Sequence, residues 1–202
     1  MAYRSSDTRP AAVTALDAVR TLLEYIGEDP NREGLLETPA RFLSAFQMYT
    51  KGYAGPTPAE VLKTFTDGAE TTTSMVIVHN IPFLSLCEHH LAPVTGTAHV
   101  GYIPDGKIVG LSKLARLTEI FARRLQVQER ATQQIADALV ENLAPLGVGV
   151  LIRAAHGCMS HRGVQIHGSV TTTSAMRGAL MNEPSARAEF LQLCHAAEKS
   201  LG

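Results

Sequence analysis

The segment 87–90, with the sequence Cys-Glu-His-His, offers a thiol, a carboxylate and two imidazoles in one short stretch. Two residues separate Cys87 from His90, a spacing at which a turn can direct both side chains to one metal ion. His156 and Cys158 repeat the same ligand types far downstream. Alternate residues of a strand face the same side, so this second pair can line one pocket. Because thiolate and imidazole together suit zinc, the two segments predict a transition-metal site.

The residues alone leave three interpretations of this site open. A catalytic zinc would use three protein ligands and keep its fourth position for water, whose pKa falls to about 7 on the ion. A structural zinc would instead be closed by all four residues, although the single-residue gap between His156 and Cys158 is tighter than most structural sites use. The third interpretation is a buried thiol with hydrogen-bonded histidines and no metal.

Positive side chains gather at one predicted helix start. Ser112 is predicted to cap this helix, and Lys113 and Arg116 lie three residues apart on one face of its first turn. A helix N-terminus flanked by two cations can bind phosphate, although exposed surface cations are the simpler interpretation. Arg162, four residues after Cys158, brings another cation toward the metal segments. No P-loop motif occurs in the sequence, so a nucleotide would have to be bound in another way.

Gln128 and Glu129 interrupt two predicted helices, where side chains can be presented to a ligand. A carboxylate only accepts hydrogen bonds, so one glutamate can take both N1–H and N2–H of guanine. A solvated glutamate at a helix start is the simpler alternative. Arg41 lies near the start of an earlier helix, where a solvated surface arginine is the ordinary interpretation.

Composition limits the class of protein. The 202 residues are 45% hydrophobic and 18% charged, with a formal net charge of −1, which predicts one sizeable core and no general affinity for nucleic acid or membrane surfaces. The N-terminal residues lack the apolar segment of a signal peptide, and no run is long enough to span a bilayer. Cys194 is the third cysteine and has no obvious partner, so the sequence predicts a reduced, cytoplasmic protein.

Hydrophobic periodicity predicts an α+β protein with an antiparallel sheet, because the elements run as helices, strands, two helices and strands again. We expect an N-terminal helical region and connector over residues 1–73 and the main domain over 74–202. Predicted helices cover about 9–26, 38–49, 112–125, 135–143 and 182–197; predicted strands cover about 75–78, 94–102, 107–111, 147–155 and 164–173.

Four motifs together resemble those of the GTP cyclohydrolase I family, in order and with compatible spacing from about residue 26 to 191. They are the sequences at 85–90, 110–116, 126–130 and 156–159, the last followed by Arg162 and Gly163. The resemblance implies a zinc-dependent hydrolase that opens GTP at C8, releases formate and forms 7,8-dihydroneopterin triphosphate, the first step of pterin and tetrahydrofolate biosynthesis. It also implies the tunnelling fold, an antiparallel sheet with two helices on one face. The assembly it implies is a homodecamer of two pentamers with active sites between subunits.

The same resemblance assigns roles to individual residues. It implies the zinc ligands Cys87, His90 and Cys158; the catalytic residues His89, His156 and Ser112; the guanine-binding pair Gln128 and Glu129; and the triphosphate contacts Lys113, Arg116, Arg162 and Arg41. A non-catalytic pterin or nucleotide binder would not need histidines beside an open metal position. A zinc nucleoside deaminase would need H-x-E and P-C-x-x-C motifs, which the sequence lacks.

Overall fold

The computed structural model describes residues 12–199, and within them the predicted alternation of helical and strand regions is present. The helices are α1 (Ala12–Tyr25), α2 (Thr38–Tyr49), α3 (Pro58–Val61), α4 (Leu111–Ala122), α5 (Gln128–Leu143), α6 (Gly157–Ser160), α7 (Ala179–Asn182) and α8 (Pro184–Lys199). The strands are β1 (Thr64–Phe65), β2 (Val76–Cys87), β3 (Pro93–Ile103), β4 (Ile108–Val109), β5 (Leu125–Gln126), β6 (Gly147–His156) and β7 (Thr171–Gly178). The part of the first predicted helix before residue 12 lies outside the described residues.

Five strands form the main sheet in the order β5-β2-β3-β6-β7. All neighbours are antiparallel except β5, which pairs with β2 in parallel. The predicted α+β class and antiparallel sheet are therefore confirmed. In the described part of the chain, no helix is both long enough and apolar enough to cross a membrane.

The helices α4 and α5 cover one face of this sheet and form the main core with it. Along β3, Ala98, Val100 and Tyr102 point into that core, so His99 and Gly101 face the opposite side. There α8 lies close to the strands: a Cβ on Gly101 would come within 3.2 Å of the Phe190 ring. Glycine at this position thus lets α8 cover the second face.

Four local predictions were wrong. Helix α5 begins at Gln128 and not near residue 135, so Gln128 and Glu129 form its first turn and do not interrupt two helices. The strand expected at 107–111 does not return to β3, because β2 and β6 already occupy both edges of β3, and its residues 108–109 pair with β1 instead. The strand expected at 164–173 begins only at Thr171, where the free edge of β6 offers Ala154 as its partner. Helix α4 begins at Leu111 with Gly110 as N-cap, so Ser112 does not cap it.

Candidate functional site

The metal-ligand segments meet at one end of the sheet. Strand β2 ends at Cys87, and a tight turn follows in which the backbone N–H groups of His90 and Leu91 both donate to the Cys87 carbonyl, at 3.3 and 2.8 Å. Strand β6 ends at His156, which lies opposite Val94 near the start of β3. The β2–β3 turn and the β6–α6 junction are therefore neighbours, although some 70 residues separate them.

Cys87, His90 and Cys158 bring their ligand atoms within 4.8 Å of one another. The Cys87 Sγ lies 3.7 Å from the His90 Nδ1. In a tetrahedral zinc site with bonds of about 2.3 Å to sulfur and 2.0 Å to nitrogen, such atoms lie about 3.5–3.8 Å apart. Burial, followed by the neighbouring Cys87, raises the pKa of the Cys158 thiol. Two thiols and an imidazole at these separations fit an ion of the zinc class.

Gln128 holds His156 in one tautomer. The buried Gln128 Nε2 lies 3.1 Å from three acceptors, the carbonyls of Ile152 and Thr171 and the Thr173 hydroxyl, which share its two hydrogens. Its Oε1 must therefore be the atom that lies 2.7 Å from the His156 Nε2. An amide oxygen only accepts, so His156 carries its proton on Nε2 and keeps a lone pair on Nδ1. Burial lowers the pKa of His156, which favours this neutral ring.

Gln128 and Glu129, predicted as a pair, differ in their surroundings. The Gln128 side chain is 3% exposed, and its amide is occupied by β6, β7 and His156. Glu129 is exposed in the first turn of α5, where the helix dipole favours a carboxylate. It lies near enough to His156 to oppose the lowering of that pKa. In this structure the Glu129 carboxylate is exposed, whereas the Gln128 amide contacts His156 and the strands β6 and β7.

Glu88 links the turn at 87–90 to α5 by an ion pair. It is the one residue of this segment for which the sequence predicted no role. Both of its carboxylate oxygens accept hydrogen bonds from Arg130, at 2.7 and 2.8 Å. This bidentate pair lowers the pKa of Glu88 and connects the metal turn to the helix that carries Gln128 and Glu129. Sequence reasoning missed the contact because 42 residues separate its partners.

Two further predicted residues lie at the edge of the metal cluster. His89 is exposed, with its Nδ1 4.0 Å from the Cys87 Sγ. The Arg162 Nη1 lies 3.1 Å from the His90 Nε2. A guanidinium only donates, so His90 accepts with Nε2 in this arrangement and carries its ring proton on Nδ1.

The predicted residues on α4 lie away from this cluster. The C-terminal end of α4 adjoins the metal end of the sheet, since the Ser85 hydroxyl donates to the Arg124 carbonyl. Ser112 precedes that end by ten residues, or about 15 Å of helix. Lys113 and Arg116 precede the same end by nine and six residues, or about 14 and 9 Å, so Ser112 and Lys113 lie farthest along α4 from the metal end of the sheet. Arg41, on α2, is 74% exposed in its side chain and forms an ion pair with Glu37 at 2.7 Å.

Comparisons with known proteins agree on a family. The family model described as GTP cyclohydrolase I matches residues 15–195. A protein of Chlorobium phaeovibrioides named GTP cyclohydrolase 1 is 57% identical over 179 residues, covering 88% of this chain and 78% of its own. Relatives of the same name from Nitrosospira multiformis and Campylobacter curvus are 52% and 50% identical, over 88% and 91% of this chain and 92% and 96% of theirs.

Proposed function

The chain belongs to the GTP cyclohydrolase I family, and from this membership we propose that it opens the imidazole ring of GTP at C8, releases formate and forms 7,8-dihydroneopterin triphosphate. The observation that carries the proposal is the cluster of Cys87, His90 and Cys158 beside a His156 held in one tautomer by Gln128. A non-catalytic nucleotide binder would have no need of an oriented imidazole next to an incomplete ligand set.

The proposed metal is zinc, bound by Cys87, His90 and Cys158. When bound, it would supply Lewis-acid activation of water for attack on an electron-poor carbon. His156 can accept a proton at Nδ1, because Gln128 fixes its other proton at Nε2. The exposed His89 is proposed to donate a proton to the departing ring nitrogen of the substrate.

Arg162 is proposed to move from His90 to the triphosphate. His90 presents Nδ1 to Cys87, so an ion held by these two residues would leave the ring proton on Nε2. That proton removes the acceptor that Arg162 uses in this structure. The guanidinium then becomes available for phosphate oxygens, with which it forms stronger, charge-assisted pairs.

We propose that a second subunit completes the site. Ser112, Lys113 and Arg116 lie about 15, 14 and 9 Å along α4 from the helix end that adjoins the metal end of their own sheet, which supports contribution in trans. In the family this arrangement accompanies the tunnelling fold and a decamer of two pentamers, and we extend both to this chain. Arg41 is assigned to the same triphosphate contact.

The domain boundary and the cellular location are also part of this proposal. The boundary near residue 73 is supported by the start of the main sheet at Val76 and by the packing of α1 on α2. A cytoplasmic location is supported by the free thiols of Cys87, Cys158 and Cys194.

The direct test is turnover. Purified full-length protein is incubated with GTP, and formate and the fluorescence of the oxidised pterin are measured, with ATP as the control nucleotide and metal content determined on the same sample. We expect stoichiometric formate and pterin from GTP, and loss of both after chelation. Turnover of GTP to GDP and phosphate without formate would contradict the proposal.

Shared active sites predict complementation between two inactive variants. Cys158→Ser removes a metal ligand, and Lys113→Glu/Arg116→Glu reverses the charges at the start of α4. If these groups act in one site across a subunit boundary, mixed oligomers contain some sites with neither change, and co-expression should restore a substantial fraction of activity. Mixing Cys158→Ser with His90→Ala is the matched control, because both changes fall in the same half-site. Equal activity of the two mixtures would show that the site is not shared in this way.

Lys113 is predicted to bind the triphosphate without taking part in the chemistry. The reacting C8 lies on the base, so phosphate contacts change little between ground and transition state and affect KM more than kcat. A charged contact of about 1.5–3 kcal/mol corresponds to roughly tenfold to hundredfold in affinity. Lys113→Ala should raise KM for GTP by this factor and leave kcat within a few fold, as measured by steady-state kinetics. Lys107→Ala, an exposed lysine before α4, is the control. A collapse of kcat at unchanged KM would place Lys113 in the transition state.

A further inference from the structure

A second group of metal-ligand side chains lies between the sheet and α8, on the face opposite α4 and α5. His79, His99 and Cys194 bring one ligand atom each within 4.8 Å of one another, the same separation that the Cys87 cluster meets. His99 and Cys194 are fully buried, and His79 is partly exposed. An ion could therefore enter from the His79 side.

A β-bulge places the two histidines side by side. Val78 pairs with Val100 and Ile81 pairs with Ala98, so two residues of β2, His79 and Asn80, lie opposite the single residue His99. Asn80 takes up the extra residue with a φ of 54°, a conformation that asparagine tolerates. His79 and His99 then face α8, from which Cys194 projects.

The separation of the donor atoms suits a metal ion. The Nδ1 atoms of His79 and His99 are 3.2 Å apart, and the ring planes cross at 65°. Two nitrogens bound to one tetrahedral zinc at about 2.0–2.1 Å lie about 3.3–3.4 Å apart. A thiolate sulfur from Cys194 completes a set of three ligands of the types that zinc prefers.

Glu198 supplies the carboxylate that metal-binding histidines commonly use on their second nitrogen. The His99 Nε2 lies 3.5 Å from the Glu198 Oε1, and both buried atoms lack a hydrogen-bond partner. An ion on His99 Nδ1 fixes the ring proton at Nε2, directed at this oxygen. Arg153 pairs with the other oxygen of Glu198, and Glu198 follows Cys194 by four residues on the same side of α8.

The protonation states are compatible with metal uptake. Burial lowers the pKa of His79 and, with the help of His79, that of His99, so both rings offer a lone pair near neutral pH. Burial raises the pKa of Cys194 to about 12, so its thiol stays protonated until an ion displaces the proton.

We propose that His79, His99 and Cys194 form a second binding site for a divalent transition-metal ion of the zinc class, positioned by Glu198 and separate from the cluster around Cys87. Its two strand ligands and one helix ligand would fasten α8 to the sheet. The effect to be expected is on stability, because the site lies on the face away from His156 and Glu129.

The test is metal stoichiometry on the full-length protein. After chelation, the wild type is titrated with Zn²⁺ and should bind two equivalents per chain, whereas Cys194→Ala should bind one. His195→Gln, a change at the exposed neighbour of Cys194 on the same helix, should keep two. His79→Gln changes the partly exposed ligand. It should also bind one equivalent of Zn²⁺, and it should disturb the packing less than Cys194→Ala. A wild type that binds one equivalent, or Cys194→Ala and His79→Gln variants that still bind two, would overturn the proposal.

Spectroscopy separates the two sites. In Cys87→Ala/Cys158→Ala protein, which lacks both thiols of the first cluster, bound Co²⁺ should still show thiolate-to-metal charge transfer and tetrahedral d–d bands. Adding Cys194→Ala should abolish the charge-transfer band. Zn²⁺ should also raise the Tm of this double variant, and the increase should disappear with His79→Gln. A charge-transfer band that survives loss of all three cysteines would exclude Cys194 as the ligand.

Discussion

Cys158→Ser is expected to lose one equivalent of zinc per chain and to release formate from GTP more than about 100-fold more slowly than the wild type, because even the loss of an indirect metal contact costs about 10–100-fold. The serine is nearly the same size, so the turn into α6 should persist. The Cys158 thiol is held beside Cys87 by the β6–α6 junction, and among residues 12–199 the cluster has no fourth Cys, His, Asp or Glu that could replace it. Metal analysis, circular dichroism and formate release on one preparation provide the measurement.

The controls use the other residues of the same types. Cys194→Ala removes the cysteine on the opposite face of the sheet and should keep GTP turnover within a few fold at a temperature where it stays folded. His90→Ala should behave like Cys158→Ser, whereas His167→Ala, in the exposed loop before β7, should resemble the wild type. Full activity in metal-free Cys158→Ser protein would refute the metal proposal while leaving the fold unchallenged.

Selection of guanine by Glu129 is the second large effect. The carboxylate stands exposed at the first turn of α5, beside His156, and guanine offers it the adjacent donors N1–H and N2–H, both of which adenine lacks. A site built to pair with substrate donors rejects a base that lacks them by roughly 10⁴–10⁵-fold. We expect kcat/KM for ATP to be lower than for GTP by that factor, with ITP, which lacks N2–H, in between. Wild-type turnover of ATP at the GTP rate would contradict the assignment.

Variants of Glu129 and Gln128 should separate recognition of the guanine base from positioning of His156. Glu129→Gln should lower kcat/KM for GTP without loss of stability, and Glu141→Gln, an exposed glutamate on the same helix, should change neither. Gln128→Met should instead lower the free energy of unfolding, because it leaves buried acceptors of β6 and β7 unpaired at about 1–3 kcal/mol each. Chemical denaturation and nucleotide kinetics measure the two effects separately.

The sequence by itself determined the ligand chemistry and the class of fold. The spacing of Cys87 and His90 was compatible with a turn. A break between two helices was predicted at 126–128 from the loss of helical periodicity, and the structure has it at 123–127. These features are local: a turn or a helix break is set by residues within a few positions of one another. Where local pattern competed with sheet pairing, as at 107–111 and 164–173, the prediction was wrong because strand pairing depends on which edges remain free.

The tertiary structure alone decided which side chains share a site. Strand register sets His156 opposite the start of β3 and within reach of Gln128, and no sequence spacing encodes that distance. Ser112 lies near the N-terminus of α4, and the length of this helix separates it from the metal ligands, although the family resemblance assigns it to the same active site. The extra residue Asn80 in β2 places His79 beside His99, close to Cys194. Nothing in the sequence relates these two histidines to that cysteine. Contacts of this kind arise from pairing between distant segments, so they are decided only when the strands and α8 pack together.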